Sequence, residues 1–335
     1  MNYIIFGGSG FIGTHLIHLL KSECVKETDK IYDLDIVMPG EEGVVPGVVE
    51  KNEGVEYVRL DVRKPINFQF SPTSDDIIFN LAAVHRTPGH EDREYFETNI
   101  RGAENVVAFA EKHGIKKMLF TSSIAPYGAA EELKTEETLP TPNTPYGISK
   151  LVAEKIHIGW AEKEASRELT IVRPGIVYGK GEHGNMTRLY KGIKGGYYFY
   201  AGRRDTVKAC VYVKELVRFF KYRMIDHSFP GYDIYNCTFE PAFTIEQICE
   251  AMKASTDLGG KRIPKVNGKL LMAAARVLGP IGGKKVGIHP DRVRKLMVST
   301  NICGKKLSDS DYGFHYSLEE SFADWFNDCD REGLF

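Results

Sequence analysis

Tyr146 and Lys150 stand four residues apart in the sequence, a spacing that carries a definite chemistry on a helix. Thr144 and Pro145 precede them, and this pair is typical of an N-cap followed by proline in the first helical turn. The tyrosine and the lysine therefore share one helix face, where an ammonium group would favour the phenolate and lower the tyrosine pKa from ~10. Such a tyrosine deprotonates a hydroxyl while hydride leaves its carbon. The same spacing also occurs on solvated helix faces, so the pair alone does not establish a catalytic site.

A serine near the same region supports the catalytic interpretation. Residues 117–121 read as a β-strand, and Ser123 follows the end of this strand. In a parallel sheet the carboxyl ends of the strands share one edge, so a serine here lies near a helix that starts at that edge. Ser123 is predicted to hydrogen-bond the reacting oxygen.

A glycine-rich loop at the start of the chain predicts a dinucleotide site. Residues 3–6 read as a strand that runs into Gly7, Gly10 and Gly13 and then into a helix. The first glycine permits the tight turn, the second lets backbone N–H groups approach a pyrophosphate, and the third allows close packing of helix on sheet. The helix start, with Phe11 and Ile12, would face the anion with its unpaired N–H groups.

Asp35 supplies the second part of this signal. It ends the second predicted strand, near the position expected for a carboxylate that accepts hydrogen bonds from the adenine ribose. Asp35 would repel a 2'-phosphate, and Ile36 beside it offers no compensating cation, so the cofactor is predicted to be NAD. Asp33 would take this role in a different strand register, but it is interpreted as a residue that faces solvent or a turn.

Composition narrows the class of protein. The chain has 335 residues, 44 basic and 45 acidic, with 42% hydrophobic residues, as expected of a globular protein with a small-molecule partner rather than nucleic acid. Its six cysteines have no metal-type spacing, which predicts no metal site and fits a cytoplasmic location. The longest later apolar stretch, residues 270–278, contains Arg276 and is far shorter than the ~20 residues of a membrane span, so no membrane partner is predicted.

The order of strands and helices predicts an α/β fold. Apolar strand-like runs alternate with amphipathic helical patterns, which indicates a Rossmann-type, doubly wound parallel sheet. Residues 1–180 are predicted to form the NAD-binding domain, with segments around 205–240 returning to it. Residues 181–335 are predicted to form mainly a smaller, C-terminal substrate-binding lobe. The strands are predicted at 3–6, 30–36, 55–60, 76–81, 117–121 and 169–172, and the helices at 12–22, 98–113, 146–164, 213–224, 244–255 and 318–326.

Taken together, these segments resemble the extended short-chain dehydrogenase/reductases of the NAD-dependent epimerase/dehydratase family. This family includes UDP-glucose 4-epimerase. The resemblance covers roughly the first 180 residues. It implies that Tyr146 is the acid/base, that Lys150 binds the nicotinamide ribose and that Ser123 polarises the substrate oxygen. It also implies a homodimer formed through the helices at 98–113 and 146–164. The further residues that it assigns to the cofactor site are Asp61, Val62, Leu81, Ala82, Ala83, Asn99 and Pro174.

The resemblance also bears on the subclass. Family members that dehydrate sugars carry an Asp-Glu pair where this sequence has Ile124 and Ala125, so dehydration is disfavoured. Nucleotide-sugar epimerisation at C4, through a transient ketone, or a related sugar dehydrogenation is predicted. Ile176 stands where many sugar-nucleotide binders have asparagine, which keeps open a non-sugar alcohol such as a 3-beta-hydroxysteroid. A non-catalytic NAD-sensing protein is a third alternative. The substrate contacts are predicted among His85, Arg86, Asn185, Lys208 and Arg292.

Overall fold

The fold is built on a seven-stranded parallel sheet. In a computed structural model, residues 1–41, 51–85, 90–128, 130–273, 276 and 297–335 are described. The strand order in the sheet is β3-β2-β1-β4-β5-β7-β11, and every neighbouring pair is parallel. These strands are β1 (Asn2–Phe6), β2 (Lys30–Asp35), β3 (Val55–Arg59), β4 (Ile77–Asn80), β5 (Lys117–Thr121), β7 (Glu168–Pro174) and β11 (Gly231–Cys237).

Helices cover both faces of this sheet, so the predicted doubly wound Rossmann-type fold is confirmed. One apolar core packs residues such as Leu16 and Phe220 against the sheet, and the other packs Val106 and Trp160 against its opposite face. Sheets of this kind are buried on both sides, which explains the nearly continuous apolar strands. The helices are α1 (Phe11–Glu23), α2 (Asp92–His113), α3 (Pro145–Glu162), α4 (Asn185–Lys194), α5 (Val213–Lys221), α6 (Ile245–Ser255), α7 (Lys305–Ser308) and α8 (Leu318–Asp328).

The prediction for α2 was wrong at its start. The sequence pattern placed the start at residue 98, whereas the helix begins at Asp92. The first turns are polar, so they carry no apolar periodicity. A capping box defines the true start: the Glu91 side chain accepts from the Glu94 N–H, and the Glu94 side chain accepts from the Glu91 N–H.

The second half of the chain adds small parallel strand pairs, one of them with a strand of the first half, that the sequence analysis did not predict. They are β8 (Ile176–Tyr178) with β10 (Cys210–Tyr212), β9 (Tyr200–Ala201) with β12 (Lys265–Val266), and β6 (Ala130–Lys134) with β13 (Thr300–Ile302). Strands of two to five residues are too short to show a period. A third apolar core, which includes Trp325 and Phe322 of α8, holds this half together. The predicted domain boundaries stay predictions.

A buried ion pair joins α3 to the sheet. Arg173 on β7 donates to both carboxylate oxygens of Glu154 on α3, at 2.8 and 2.6 Å, and the two side chains are only 3% and 1% exposed. Glu154 also accepts from Ser122, and Arg173 donates to the Tyr127 hydroxyl at 2.7 Å. The hydrogen bonds compensate for much of the cost of burying the two charges.

Removing one partner of this pair tests its structural role. Glu154→Ala leaves the Arg173 guanidinium buried without its carboxylate, so we expect the free energy of unfolding to fall by about 3–5 kcal/mol. Urea denaturation followed by circular dichroism measures the loss, with Glu162→Ala, on the exposed side of the same helix, as the control. If Glu154→Ala does not fold, Glu154→Gln serves instead. A loss below about 1 kcal/mol in both variants contradicts this role.

Candidate active site

The start of α3 lies against the loop that carries Ser123. Thr144 caps the helix by accepting from the Gly147 N–H at 3.1 Å, and Pro145 occupies the first turn, as predicted. A Cβ at Gly147 would lie only 2.7 Å from the Ala125 carbonyl oxygen. Only glycine therefore permits this close approach, which brings the first turn of α3 to the end of β5.

Ser123 and Tyr146 meet at this contact. A hydrogen bond with the Ser123 hydroxyl acts on the phenol, and the ring of Tyr95 lies 6.0 Å from the Tyr146 ring. Loss of water around the phenol raises the pKa of Tyr146 to about 12, although the bond with Ser123 opposes this rise. The phenol is therefore protonated at neutral pH and can act as a proton donor.

Lys150 forms a hydrogen bond with the backbone at the end of β5. Its ammonium group is buried and donates to the Thr121 carbonyl oxygen at 2.8 Å. Burial lowers the pKa of Lys150 to about 7, with Glu154 opposing the shift. Lys150 is not among the groups that shift the pKa of Tyr146 in this structure, and the lowering of that pKa by Lys150 stays a prediction.

The glycine loop has the geometry that a bound dinucleotide needs. Gly7 has φ of +82°, and a Cβ there would lie 2.8 Å from the Ala82 backbone nitrogen. A Cβ at Gly13 would lie 2.5 Å from the Cα atom of Gly8, so the helix packs tightly on the loop. Gly10 occupies the N-cap of α1 and provides no side chain to satisfy the first N–H groups, and the first turn has no acidic residue. These N–H groups fit a pyrophosphate.

Two carboxylates at the end of β2 lie next to this loop. Asp35 accepts from the Ser9 N–H at 3.1 Å and from the Val37 N–H at 3.2 Å, and burial raises its pKa. Arg59 lies near this position, but it donates to the Ile36 carbonyl oxygen and pairs with Glu41. The positive charge of Arg59 is thus paired with Glu41, and Asp35 fits the ribose hydroxyls of NAD.

Asp33 was interpreted wrongly from the sequence. It is fully buried beneath the glycine loop, where its Oδ2 atom accepts from the Ser9 hydroxyl at 2.7 Å. A Cβ at Gly8 would lie 2.4 Å from Asp33 Oδ1, so the carboxylate fills the space under the loop. Burial raises the pKa of Asp33 to about 7, and the Asp35 charge adds to the rise.

The remaining cofactor candidates surround the same edge of the sheet. Asp61 forms an ion pair with Arg63 at 2.8 Å, and the Val62 carbonyl oxygen accepts from Asn105. Leu81, Ala82 and Ala83 form the segment after β4, and Pro174 ends β7. None of these positions conflicts with a cofactor site, and their assigned contacts stay predictions.

Asn99 has a structural contribution that the geometry explains. Its Oδ1 atom accepts from the Val84 N–H at 3.0 Å, and its Nδ2 atom donates to the Val84 carbonyl oxygen and to the Ser149 hydroxyl. It therefore ties the segment after β4 to α3. In addition, the buried Thr121 hydroxyl has no hydrogen-bond partner among the described residues, which fits a site that a bound molecule completes.

The residues predicted to contact the substrate are less clustered than the cofactor candidates. His85 is exposed after β4, and Asn185 is exposed at the start of α4. The Lys208 ammonium donates to the Val298 carbonyl oxygen at 2.6 Å, and burial lowers its pKa to about 8. Arg86 and Arg292 lie outside the described residues.

Sequence reasoning also missed the supporting role of Glu154 and Asp33. Glu154 follows Lys150 by four residues on α3, which is the spacing of side chains on one helix face. That signal, together with the arginine at the end of a buried strand, indicates a buried ion pair. Asp33 left a weaker signal: a carboxylate inside a largely apolar strand, two positions before Asp35 and therefore on the same face of that strand.

Comparison with known proteins defines the class. The sequence profile of the NAD dependent epimerase/dehydratase family matches residues 3–238, and the chain belongs to this family. It is therefore an NAD-dependent enzyme of the extended short-chain dehydrogenase/reductase type, as the sequence predicted. None of the described helices has the length and apolar character needed to cross a membrane.

Particular relatives show different extents of similarity. An N-acetyl-alpha-D-glucosaminyl-diphospho-ditrans,octacis-undecaprenol 4-epimerase of Escherichia coli O157:H7 is 29% identical over 326 residues, which cover 95% of this chain and 92% of that relative. A UDP-glucose 4-epimerase of Vibrio cholerae is 28% identical over 203 residues, 58% and 57% of the two chains. The structure of a UDP-glucose 4-epimerase of Thermotoga maritima matches with a TM-score of 0.72 at 20% identity, covering 98% of this chain and 99% of that one, which supports the fold.

The buried carboxylate of Asp33 makes stability depend on pH. Its raised pKa means that the folded state holds a proton that the unfolded chain has lost, so its contribution is present below about pH 4 and disappears as the pH rises through about 7. We expect Asp33→Asn to stabilise the protein relative to the wild type by about 2–4 kcal/mol more at pH 8 than at pH 4.

Urea denaturation across this pH range measures the difference. Asp75→Asn, at an exposed position close to the start of β4, is the matched control and should leave the pH dependence unchanged. A stability difference between Asp33→Asn and the wild type that is the same at every pH contradicts the raised pKa.

Proposed function

We propose that this enzyme is an NAD-dependent 4-epimerase that acts on a sugar joined to a diphosphate. The observation that carries the proposal is the approach of the Ser123 hydroxyl to the Tyr146 phenol at the carboxyl edge of the sheet, one helical turn before the buried Lys150 on α3. This is the arrangement needed to move one proton on and off a hydroxyl oxygen. NAD, the cofactor of this family, is the redox partner of the substrate.

Tyr146 and Ser123 have different roles at the substrate hydroxyl. When bound, NAD supplies a reversible acceptor for the hydride that leaves the sugar carbon. Tyr146 exchanges the hydroxyl proton as the carbon becomes a ketone, and it returns a proton when the ketone is reduced from its other face. Ser123 donates a hydrogen bond to the same oxygen and stabilises the charge that develops there. Reaction at both faces gives the epimer with no net oxidation.

The proton on Tyr146 must leave before it can act as a base. With a pKa of about 12, the phenol loses its proton only where positive charge is nearby. Lys150 supplies such charge in its protonated form, and its pKa of about 7 gives a mixture of forms near neutral pH. A bound ribose that accepts from the ammonium would favour the charged form. Lys150 is therefore proposed to act on both the cofactor and Tyr146.

Dehydration remains disfavoured in the folded site. A 4,6-dehydratase needs further acid/base groups after the active-site hydroxyl residue, and these positions are Ile124 and Ala125. Ala125 begins a short 3-10 turn and packs its backbone against Gly147. Neither side chain can carry a proton.

The carrier of the sugar is the second part of the proposal. The sequence predicted a nucleotide sugar, and UDP-glucose 4-epimerases match a little over half of this chain. The undecaprenol-linked 4-epimerase matches nearly the whole chain, including the lobe that follows residue 180. This observation favours a polyprenyl-diphosphate sugar, with the nucleotide sugar as the second candidate. Ile176, in the place of a polar contact, agrees with a different carrier.

Homodimerisation and a cytoplasmic location belong to the same proposal. Ile148 and Val152 on α3 are 40% and 37% exposed and lie one turn apart, which suits a helical interface of two copies. The six cysteines are all free, which agrees with a reducing compartment. Light scattering after gel filtration measures the oligomeric state.

Loss of the Tyr146 hydroxyl tests the proposed chemistry. We expect Tyr146→Phe to lower kcat about 100- to 10,000-fold because it removes the group proposed to exchange the hydroxyl proton. The assay follows the interconversion of diphosphate-linked glucose- and galactose-type sugars by chromatography, with UDP-sugars and polyprenyl-diphosphate sugars tested side by side.

The control for this variant is Tyr232→Phe, at an exposed tyrosine on β11. Retained NAD, released by denaturation and identified by mass spectrometry, shows that Tyr146→Phe still folds and binds the cofactor. Unchanged turnover in Tyr146→Phe contradicts the mechanism. Stoichiometric NADH production from a non-sugar alcohol, with no epimerisation of either sugar class, favours the dehydrogenase alternative.

A further inference from the structure

The second lobe contains a strongly basic stretch of sequence. Residues 261–297 include ten lysines and arginines and a single acidic residue, Asp291, although the whole chain has a formal charge of -1. The stretch also contains many apolar residues. Such a combination is unusual for an ordinary solvated surface, where the two signs of charge are interspersed.

The described part of this stretch presents its charge to solvent. Lys261, Arg262, Lys265 and Lys269 are all exposed. Within the described part of the chain, no carboxylate forms an ion pair with any of these four side chains. Their positive charges are therefore available to an external anionic partner.

An exposed apolar residue lies among these cations. Residues 268–273 are helical, and Leu270 beside Lys269 is 69% exposed, whereas Leu271 is buried against Ala201. We call Leu270 and the four cations the basic surface. It combines positive charge with an exposed apolar side chain.

The basic surface is firmly attached to the lobe. Lys265 and its neighbour in β12 pair with β9, where the Tyr200 N–H donates to the Pro264 carbonyl oxygen at 2.9 Å. A Cβ at Gly268 would lie 3.2 Å from the Cα atom of Gly202, so the helical residues start directly against the end of β9. A partner that binds the basic surface therefore fixes the orientation of the whole lobe.

We infer that the basic surface binds the anionic face of a lipid bilayer and so brings the active site to a sugar carried on a polyprenyl diphosphate. The inference rests on the proposed function for its substrate. Lysine and arginine side chains near an anionic bilayer each strengthen binding about fivefold, and exposed leucine side chains partition into the interfacial region. The contact requires no membrane-spanning helix.

A bilayer fits better than a nucleic acid. Phosphate contacts with a nucleic acid use cations and hydrogen-bond donors, and they leave Leu270 without a role. A bilayer interface accepts both the cations and the apolar side chains. It is also where a long polyprenyl chain resides, because such a chain is too apolar to leave the membrane.

Flotation with lipid vesicles tests the contact directly. The purified full-length enzyme is mixed with vesicles of phosphatidylcholine alone or of phosphatidylcholine with phosphatidylglycerol, at low and high salt. We expect binding to the anionic vesicles only, weakened by salt. The combined variant Lys261→Glu, Arg262→Glu, Lys265→Glu and Lys269→Glu should bind at least about tenfold more weakly.

The matched control carries the same change of net charge elsewhere. It reverses four exposed lysines of the NAD-binding half: Lys21, Lys26, Lys51 and Lys112. This control should bind anionic vesicles much more tightly than the first variant, and Leu270→Ser should weaken binding while keeping its salt dependence. Equal binding by the two charge-reversed variants, equal binding to neutral vesicles, or binding of single-stranded DNA without binding of vesicles overturns the inference.

Turnover separates this inference from the proposed function. On a sugar diphosphate with a short, water-soluble prenyl chain, we expect the charge-reversed variant of the basic surface to retain wild-type kcat. On the long-chain substrate embedded in anionic vesicles, its rate should fall at least about tenfold. Equal loss on both substrates contradicts a role in membrane contact. Wild-type enzyme that binds vesicles but epimerises neither substrate contradicts the proposed function and leaves the surface contact intact.

Discussion

The buried pair of Arg173 and Glu154 is the constraint on which the active-site geometry depends. Two opposite charges without water must stay together, since the separation of either from its partner is very costly. Glu154 lies one turn after Lys150 on α3, and Arg173 lies on β7 next to the strand that leads to Ser123. The pair therefore fixes the position of α3 along the sheet. The close approach of Gly147 to Ala125 then fixes its distance.

A second constraint acts at the cofactor end of the same edge. The glycine loop approaches the backbone at Ala82 on one side and the Asp33 carboxylate on the other, so it has little freedom to move. A buried carboxylate is a costly way to support a loop, because burial favours its neutral form. It nevertheless hydrogen-bonds the Ser9 hydroxyl, while Asp35 holds the Ser9 backbone. The loop is thus ordered before any dinucleotide binds, which reduces the entropy cost of binding.

The sequence was sufficient for six of the seven strands of the main sheet, for the glycine loop and for the start of α3, because each has a local pattern: apolar strands, fixed glycine spacing and a capped helix start. It was insufficient where the outcome depends on distant partners. The direction of the Lys150 hydrogen bond is decided by the Thr121 carbonyl oxygen, and the burial of Asp33 is decided by the packing of Gly8 above it. The early start of α2 depends on polar capping rather than on apolar periodicity. The short strands of the second half form only through long-range pairing.

The chemistry at C4 of a sugar does not depend on what the diphosphate carries. Ser123, Tyr146 and Lys150 are proposed to act on one hydroxyl, and in that role these residues cannot distinguish a nucleotide from a polyprenol. Discrimination must come from the second lobe, where the undecaprenol-linked relative continues to match and the matches to the Vibrio cholerae enzyme cover a smaller part of the chain. A long polyprenyl chain stays in the bilayer, so an enzyme that acts on the proposed polyprenyl-diphosphate sugar must approach the membrane. Under the proposed membrane contact, a lobe that combines exposed cations with Leu270 meets this requirement by surface attraction.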